Sequence, residues 1–115
     1  MTDLPLLDKD RLQRLRHDVG PEVLRDLMED FLAIDYETPL KTLAYQSPQQ
    51  QKETLHGLKG VAANMGAIAL LKACCQLGQH PGPMTCKDQD HLLTVLQQTR
   101  QAMRGTESFF DPPQG

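Results

Sequence analysis

The residues with the clearest chemical potential lie in one short segment, in which His56 is followed by Lys59 and Gly60. A neutral imidazole nitrogen is a nucleophile near physiological pH. A lysine three residues later on a helix lies on the same surface, where its ammonium can offset the charge of an arriving phosphoryl group. Gly57 and Gly60 each cost roughly 1 kcal/mol relative to alanine inside a helix. Keeping both indicates a need for bare backbone beside the imidazole, because phosphoryl transfer between two proteins requires close, in-line approach.

The segment is predicted to lie on a helix over residues 48–65, which Gly66 ends. Projected at about 100° per residue, its apolar positions lie roughly opposite His56. These positions are Leu58, Val61, Ala62 and Met65, with Leu55 at one edge. On the same projection, Lys52, Lys59, Gly60 and Ala63 all lie within about 60° of His56. We therefore expect His56 at the centre of the exposed face. Two simpler interpretations stay open, an ordinary solvated lysine at 59 and close packing against another helix at 60.

Two helices are predicted before this one. Asp8 is a candidate N-cap for a short first helix, which extends to about residue 16 and is stopped by Gly20. A long amphipathic helix is predicted over residues 22–44, with Pro39 causing a kink near Asp35 rather than a break. The inward positions are Leu12 and Leu15 in the first helix and Val23, Leu24, Leu27, Met28, Phe31, Leu32, Leu40 and Leu43 in the second.

Two more helices are predicted after it, the first over residues 67–78. Residues 80–83 can only form a loop, and Thr85 with Asp88 resembles the capping box of a last helix. The inward positions are Leu71, Cys74 and Leu77 in the fourth helix and Leu92, Leu96, Thr99 and Met103 in the last. Residues 105–115 are expected to be irregular. No strand pattern competes anywhere, so the predicted fold class is all-α.

Composition limits the function classes. The 115 residues suffice for one domain, with 39% hydrophobic and 4% aromatic residues and a net charge of −3. No basic patch indicates nucleic-acid binding, no apolar stretch approaches the roughly 20 residues of a membrane span, and the first residues do not resemble a signal peptide. We therefore expect a soluble, intracellular protein. Cys74, Cys75 and Cys86 have neither disulfide nor zinc spacing and are expected to be reduced thiols. No phosphate-binding loop or kinase motif occurs, so no ATP-dependent kinase activity is expected.

The stretch from His56 to Ala67, HGLKGVAANMGA, resembles the signature of the histidine-containing phosphotransfer (HPt) domain family. That signature is His-x-Leu-Lys-Gly followed by small residues and Gly-Ala. Weaker similarity covers about residues 8–104. It includes the Asp8–Leu15 stretch, Val19-Gly20, Phe31-Leu32 with the internal proline, and Leu71 with Cys74.

The resemblance implies an antiparallel four-helix bundle with a short additional N-terminal helix, forming one HPt domain over residues 1–115 with its core at about 8–104. It implies that His56 is phosphorylated on Nε2 and that Lys59 and Gly60 support that site. The implied docking face adds Lys52, Gly57, Ala63, Asn64 and, more weakly, Gln79. One departure concerns the end of the fourth helix, where the family often has Glu or Gln and this chain has Gly78.

The implied function is that of a phosphorelay intermediate. Such a protein accepts a phosphoryl group on His56 from a receiver-domain aspartate and passes it to another response regulator in a two-component system. Its partners are receiver domains and a sensor or hybrid histidine kinase, with no nucleic acid and no membrane. The receiver supplies Mg²⁺ and the catalytic carboxylates, so this chain needs no cofactor or metal of its own. It is expected to be a cytoplasmic monomer and a carrier rather than an enzyme.

Two alternatives use the same residues differently. A non-phosphorylated interaction module would dock a receiver or kinase domain through the same exposed helix without carrying phosphate. A metal-binding helical bundle would need ligands that point into its core, whereas His56 is predicted to point outward.

Overall fold

The computed structural model describes residues 6–79 and 82–105, and this part of the chain is helical without strands, as the all-α prediction required. Its α-helices are α1 (Lys9–Val19), α2 (Pro21–Ala33), α3 (Glu37–Lys41), α4 (Pro48–Asn64), α5 (Ile68–Gly78) and α6 (Cys86–Gly105). A 3-10 helix at Leu43–Tyr45 joins α3 to α4. Packing is closest between α4 and α5 and between α5 and α6, while α1 packs on α2 and α3 on α6.

The predicted helix ends of the first and last helices are found in the structure. The Asp8 carboxylate accepts a hydrogen bond from the Arg11 amide at 3.1 Å and so begins α1. Gly20 ends α1 with a φ of 90°, in the region that favours glycine. At the start of α6, the Thr85 amide donates to Asp88 Oδ2 at 2.9 Å, and the Asp88 amide donates to Thr85 Oγ1 at 3.4 Å. This reciprocal pair is the predicted capping box.

Both ends of α4 are also fixed by local chemistry. A capping box joins Ser47 to Gln50, and Pro48 occupies the first turn, where a missing amide proton costs nothing. At the other end Gly66 has a φ of 66°, and the Ala67 amide donates back to the Ala62 carbonyl at 2.9 Å. The Gly66 carbonyl in turn accepts from the Asp8 amide at 2.7 Å, which ties the start of α1 to the end of α4. The helix that carries His56 therefore has defined limits.

The prediction of one kinked helix over residues 22–44 is wrong, because the chain breaks between α2 and α3. Ile34 is extended, with φ −71° and ψ 135°, and the Asp35 carboxylate accepts hydrogen bonds from the Thr38 amide and hydroxyl. Inside a continuous helix, the Pro39 ring would clash with the Asp35 carbonyl and leave it without a donor. Starting a new helix at Glu37 puts Pro39 in a first turn, where it needs no amide proton.

The core follows the predicted apolar stripes with two exceptions. Buried positions from the predicted set are Leu12, Leu24, Met28, Phe31, Leu40, Leu43, Leu55, Leu58, Ala62, Met65, Cys74, Leu92, Leu96, Thr99 and Met103. Leu15, Leu32, Val61, Leu71 and Leu77 are half-buried against them. Val23 and Leu27 are instead exposed, at 46% and 38% of their surface, on the outer side of α2.

Arg100 of α6 is a buried polar residue that ties the α2–α3 break to the rest of the fold. Its guanidinium donates to the Leu32 carbonyl at 2.8 Å and to the Ile34 carbonyl at 2.6 Å, where α2 ends. The Ile34 carbonyl also accepts from the Tyr36 amide at 3.1 Å. The Arg100 Nε lies 3.1 Å from Glu37 Oε1 of α3 as an ion pair. The guanidinium also lies 5.9 Å from the centre of the Tyr36 ring.

Gln51 of α4 ties the two loops at the other side of the bundle in a similar way. Its Nε2 donates to the Leu43 carbonyl at 2.8 Å, and its Oε1 accepts from the Met84 amide at 3.1 Å. Only 3% of its surface is exposed, so these partners replace the water that the amide loses on burial.

The remaining features of the fold concern the end of α6, the loop before it and the hydrophobicity of the helices. Gly105 belongs to the end of α6 rather than to an irregular tail, whereas residues 106–115 and most of the predicted tail lie outside the described residues. Residues 80 and 81 of the predicted loop also lie outside them, and Gly82 and Pro83 are non-helical. Every helix within the described ranges is too short or too polar to cross a membrane.

Candidate functional site

His56 lies on the outward face of α4, and its side chain is exposed as predicted. Lys52, Gly57, Lys59, Gly60, Ala63 and Asn64 are exposed on the same helix, so the predicted docking residues of α4 share one surface. Opposite them, Leu55, Leu58 and Ala62 are buried, which fixes the helix in this rotation. Among the described residues, no hydrogen bond or ion pair to His56 is found. The imidazole is thus held by a rigid backbone and is free to meet a group from outside.

Gly57 and Gly60 have no packing role within the described structure. A Cβ added at either position would meet no atom within 4 Å, apart from the helix's own neighbouring backbone. The simpler interpretation of Gly60, close packing against another helix, is therefore wrong. Each glycine still costs roughly 1 kcal/mol in a helix interior. What the two glycines provide is open surface on the side of His56 that faces α3.

The flank of His56 toward α5 is basic. Lys52 and Lys59 lie about 40° and 60° from His56 on this side of the helix projection. The Leu55 side chain marks the contact with α5, because a Cβ at Gly78 would lie 3.6 Å from its Cδ2. Lys59 is close enough to α5 for its charge to act on the Cys74 thiol. A phosphoryl group on His56 would therefore have positive charge on this side.

The end of α5 holds Gln79, the weakest of the predicted docking residues. Gln79 is exposed and is the C-terminal cap residue of α5. No hydrogen bond joins it to His56 in the part of the chain that the structure describes. Gly78, where the resemblance to HPt domains led to the expectation of a polar side chain, faces Leu55. The weak assignment of Gln79 to the docking face stays a prediction.

The flank of His56 toward α3 is a groove that sequence reasoning missed. It encloses about 460 Å³ between the α2–α3 break and α4. The groove is lined by Tyr36, Pro39, Leu40, Glu53, Thr54, Gly57, Leu58 and Val61. Most of these side chains are apolar, and Glu53 lies at about 60° from His56 on the projection, within the exposed face. The spacing of Glu53 from His56 was a visible signal, but the α3 wall follows from a break that the sequence did not predict.

The cysteines are free thiols that behave as the sequence suggested. Cys74 is buried, Cys75 is half-buried and Cys86 is exposed. Burial raises the pKa of the Cys74 thiol to about 12, and Cys75 adds to that effect, while Lys59 opposes it. Cys74 is therefore a small apolar core residue at neutral pH. Within residues 6–79 and 82–105, no cluster of His, Cys, Asp and Glu could hold a metal ion.

Compared with models of protein families, with curated proteins and with solved structures, the chain has no significant match.

Proposed function

We propose that this chain is an HPt domain that carries a phosphoryl group on His56 between receiver domains of a two-component phosphorelay. The observation that carries the proposal is the open surface around an exposed imidazole that no described residue contacts through a hydrogen bond or ion pair. Gly57 and Gly60 lower helix stability without any packing benefit among residues 6–79 and 82–105. The simplest explanation is that the glycines leave room for an incoming protein, since side chains at these positions would stand between that protein and His56.

The phosphoryl transfer requires only the groups on this face of α4 and those that the receiver supplies. With its proton on Nδ1, the imidazole presents the Nε2 lone pair, which attacks the phosphorus of an aspartyl phosphate. The N–P bond forms as the P–O bond to the aspartate breaks, and the carboxylate leaves with the bonding electrons. Lys59 offsets charge on the phosphoryl oxygens during approach. The resemblance to HPt domains implies that Mg²⁺ is held by the receiver, so the proposal gives this chain no cofactor.

The proposal includes the finer architecture. In it, α2 and α3 together form one of the four antiparallel members of an HPt bundle, and α4, α5 and α6 form the other three. Helix α1 is the additional N-terminal helix. The tight turn between α4 and α5 and the packing of α5 on α6 are compatible with this assignment. A carrier of this kind works as a monomer in the cytoplasm, where receiver domains and histidine kinases act, and has no kinase activity toward ATP.

A label-transfer experiment tests the proposal. A receiver phosphorylated with ³²P is mixed with the wild type, with His56→Gln and with the matched controls His17→Gln and His91→Gln, whose histidines are also exposed. We expect label on the wild type and on both controls and none on His56→Gln. The label should be lost in acid and survive base, as a phosphoramidate does.

Gly60→Glu gives a second test at the same surface. We expect it to block transfer while the helical circular dichroism signal is retained, because the added side chain enters open space. If receivers bind the wild type but no label reaches His56, the chain is an interaction module and the carrier proposal fails.

A further inference from the structure

The exposed face of α4 is divided by His56 into two chemically different halves. On the α5 side, Lys52 and Lys59 give positive charge. On the α3 side, Glu53 gives negative charge, and its Oε1 accepts a hydrogen bond from Gln49 Nε2 at 3.2 Å. A partner that docks over His56 meets both halves at once. Its acidic phosphorylation site fits the lysine half, and the other half favours a basic group next to an apolar one.

The α3 half also has depth, in the groove that Gly57 borders. A separate cavity of about 410 Å³ borders Lys52, between α4, the end of α5 and the loop before α6. Tyr36 and Pro39 form one wall of the groove, and Leu58 and Val61 form much of its floor. Gly57 lies at the edge next to His56, where a Cβ would meet no atom within 4 Å. The absence of a side chain at 57 therefore connects the groove to the surface beside the imidazole.

The groove is held in shape by contacts on both of its sides. The Tyr36 ring packs at a tilt of 37° against the Phe31 ring, with ring centres 5.4 Å apart, and lies beneath the Arg100 guanidinium. Arg100 also fixes the backbone before it through the Ile34 carbonyl and α3 through Glu37. On the α4 side, the Thr54 hydroxyl donates to Gln46 Oε1 at 2.9 Å. A partner therefore meets a preformed groove and does not have to organise it.

Building on the proposed function, we infer that Gly57 and Glu53 determine receiver specificity. The groove takes a bulky apolar side chain from the docking surface of the receiver, and Glu53 faces a basic residue beside it. Because an apolar groove and a carboxylate lie on one side of His56 and two lysines on the other, only one orientation of the receiver satisfies both halves. Receivers without the apolar and basic pair would dock less tightly on this face, although their chemistry at His56 is the same.

The test measures transfer from phosphorylated receivers over a range of receiver concentrations, which separates KM from the rate constant at saturation. Gly57→Ala places a small side chain at the edge of the groove, and Gly57→Leu places a large one there. The control, Gln97→Leu, introduces leucine at an exposed position of α6. We expect Gly57→Leu to raise KM about tenfold or more, with a smaller rise for Gly57→Ala, because a filled pocket rejects the side chain it was shaped for. Gln97→Leu should match the wild type.

Glu53 is tested separately by Glu53→Gln and Glu53→Lys at low and high salt. We expect KM to rise in the order wild type, Gln and Lys, with the differences largest at low salt, because salt screens exposed charge pairs. Thermal unfolding of every variant checks the fold, which Gly57→Leu should strengthen, since leucine favours helix over glycine.

The outcomes separate the inference from the proposed function. If wild type takes label on His56 but Gly57→Leu has an unchanged KM for every receiver, the groove has no docking role and the inference is overturned. A lower rate at saturation with unchanged KM also overturns it, because Gly57 would then act on the transfer step. A change in sedimentation of Gly57→Leu without a change in KM would assign the groove to contact between copies of the chain. If no receiver labels His56, the proposed function itself fails.

Discussion

The outward face of α4 differs in its polar contacts from the two buried side chains Gln51 and Arg100, which we call the clamps. Gln51 and Arg100 are withdrawn from water, and both make several polar contacts within the chain. On the face around His56, the imidazole has no such partner within the described residues, and two glycines meet no neighbour. Buried polar groups without partners are costly, so the clamps must be satisfied internally. The exposed face has no such requirement, and its open groups are available to another molecule.

The comparison predicts that changes in the clamps alter stability and that changes on the face alter transfer. The largest expected effect is at Arg100. Arg100→Ala should lower the free energy of unfolding by about 3 kcal/mol, since it removes the guanidinium from the Leu32 and Ile34 carbonyls and from the Glu37 carboxylate. Urea denaturation measures it. Arg100→Lys keeps the charge but lacks the planar fork, so it should recover only part of the loss. Equal stability of Arg100→Ala and wild type would show that the clamp is dispensable.

Gln51 should give the next largest effect. Gln51→Leu fills similar space but removes the acceptor of the Met84 amide and one of the two donors to the Leu43 carbonyl, and we expect a loss of about 2 kcal/mol. The matched control Gln97→Leu, on an exposed position, should change stability little. A Gln51→Leu protein as stable as this control would contradict the stabilising role of Gln51.

Glycine substitutions sharpen the comparison because the sign of the stability change that they cause should differ between positions. Gly57→Ala and Gly60→Ala should each raise stability by about 0.5 to 1 kcal/mol, because alanine favours helix and its Cβ meets only open space. Gly66→Ala should lower it by about 1 kcal/mol or more, since Gly66 has a φ of 66° and an added Cβ would lie 3.2 Å from the Asp8 carbonyl oxygen. Thermal and urea unfolding of the three variants measures these changes. The same sign at all three positions would remove the distinction between structural and surface glycines.

The smallest expected effect is the pH dependence at Asp35. Hydrogen bonds from Thr38 hold the pKa of the Asp35 carboxyl below its usual value. A carboxyl with a lowered pKa in the folded state stabilises the fold above its unfolded pKa and loses that contribution as pH falls through the folded pKa. The stability difference between wild type and Asp35→Asn should therefore be small near pH 7 and should shrink toward pH 3. A difference that grows in acid would contradict this assignment.

Most of the fold was predictable because helix signals are local. Capping by Asp8, the Thr85 and Asp88 pair, and the turn at Gly66 each involve residues within a few positions of one another. The exposure of His56 followed from the 3.6-residue period of α4 alone. The break between α2 and α3 was missed, although Pro39 was recognised, because a kinked and a broken helix have the same local pattern. The difference is stabilised by Arg100, which lies 66 residues beyond Ile34.

The candidate site divides in the same way. The sequence by itself determined which residues surround His56 on α4, because they share one helix and its geometry is fixed. Tertiary structure alone decided that Gly57 and Gly60 meet no neighbour, that Gln51 is buried between two loops, and that a groove lies beside His56. These features depend on which distant segments pack against α4. Such packing is set by the sum of many weak contacts across the core, and no short stretch of sequence encodes that sum.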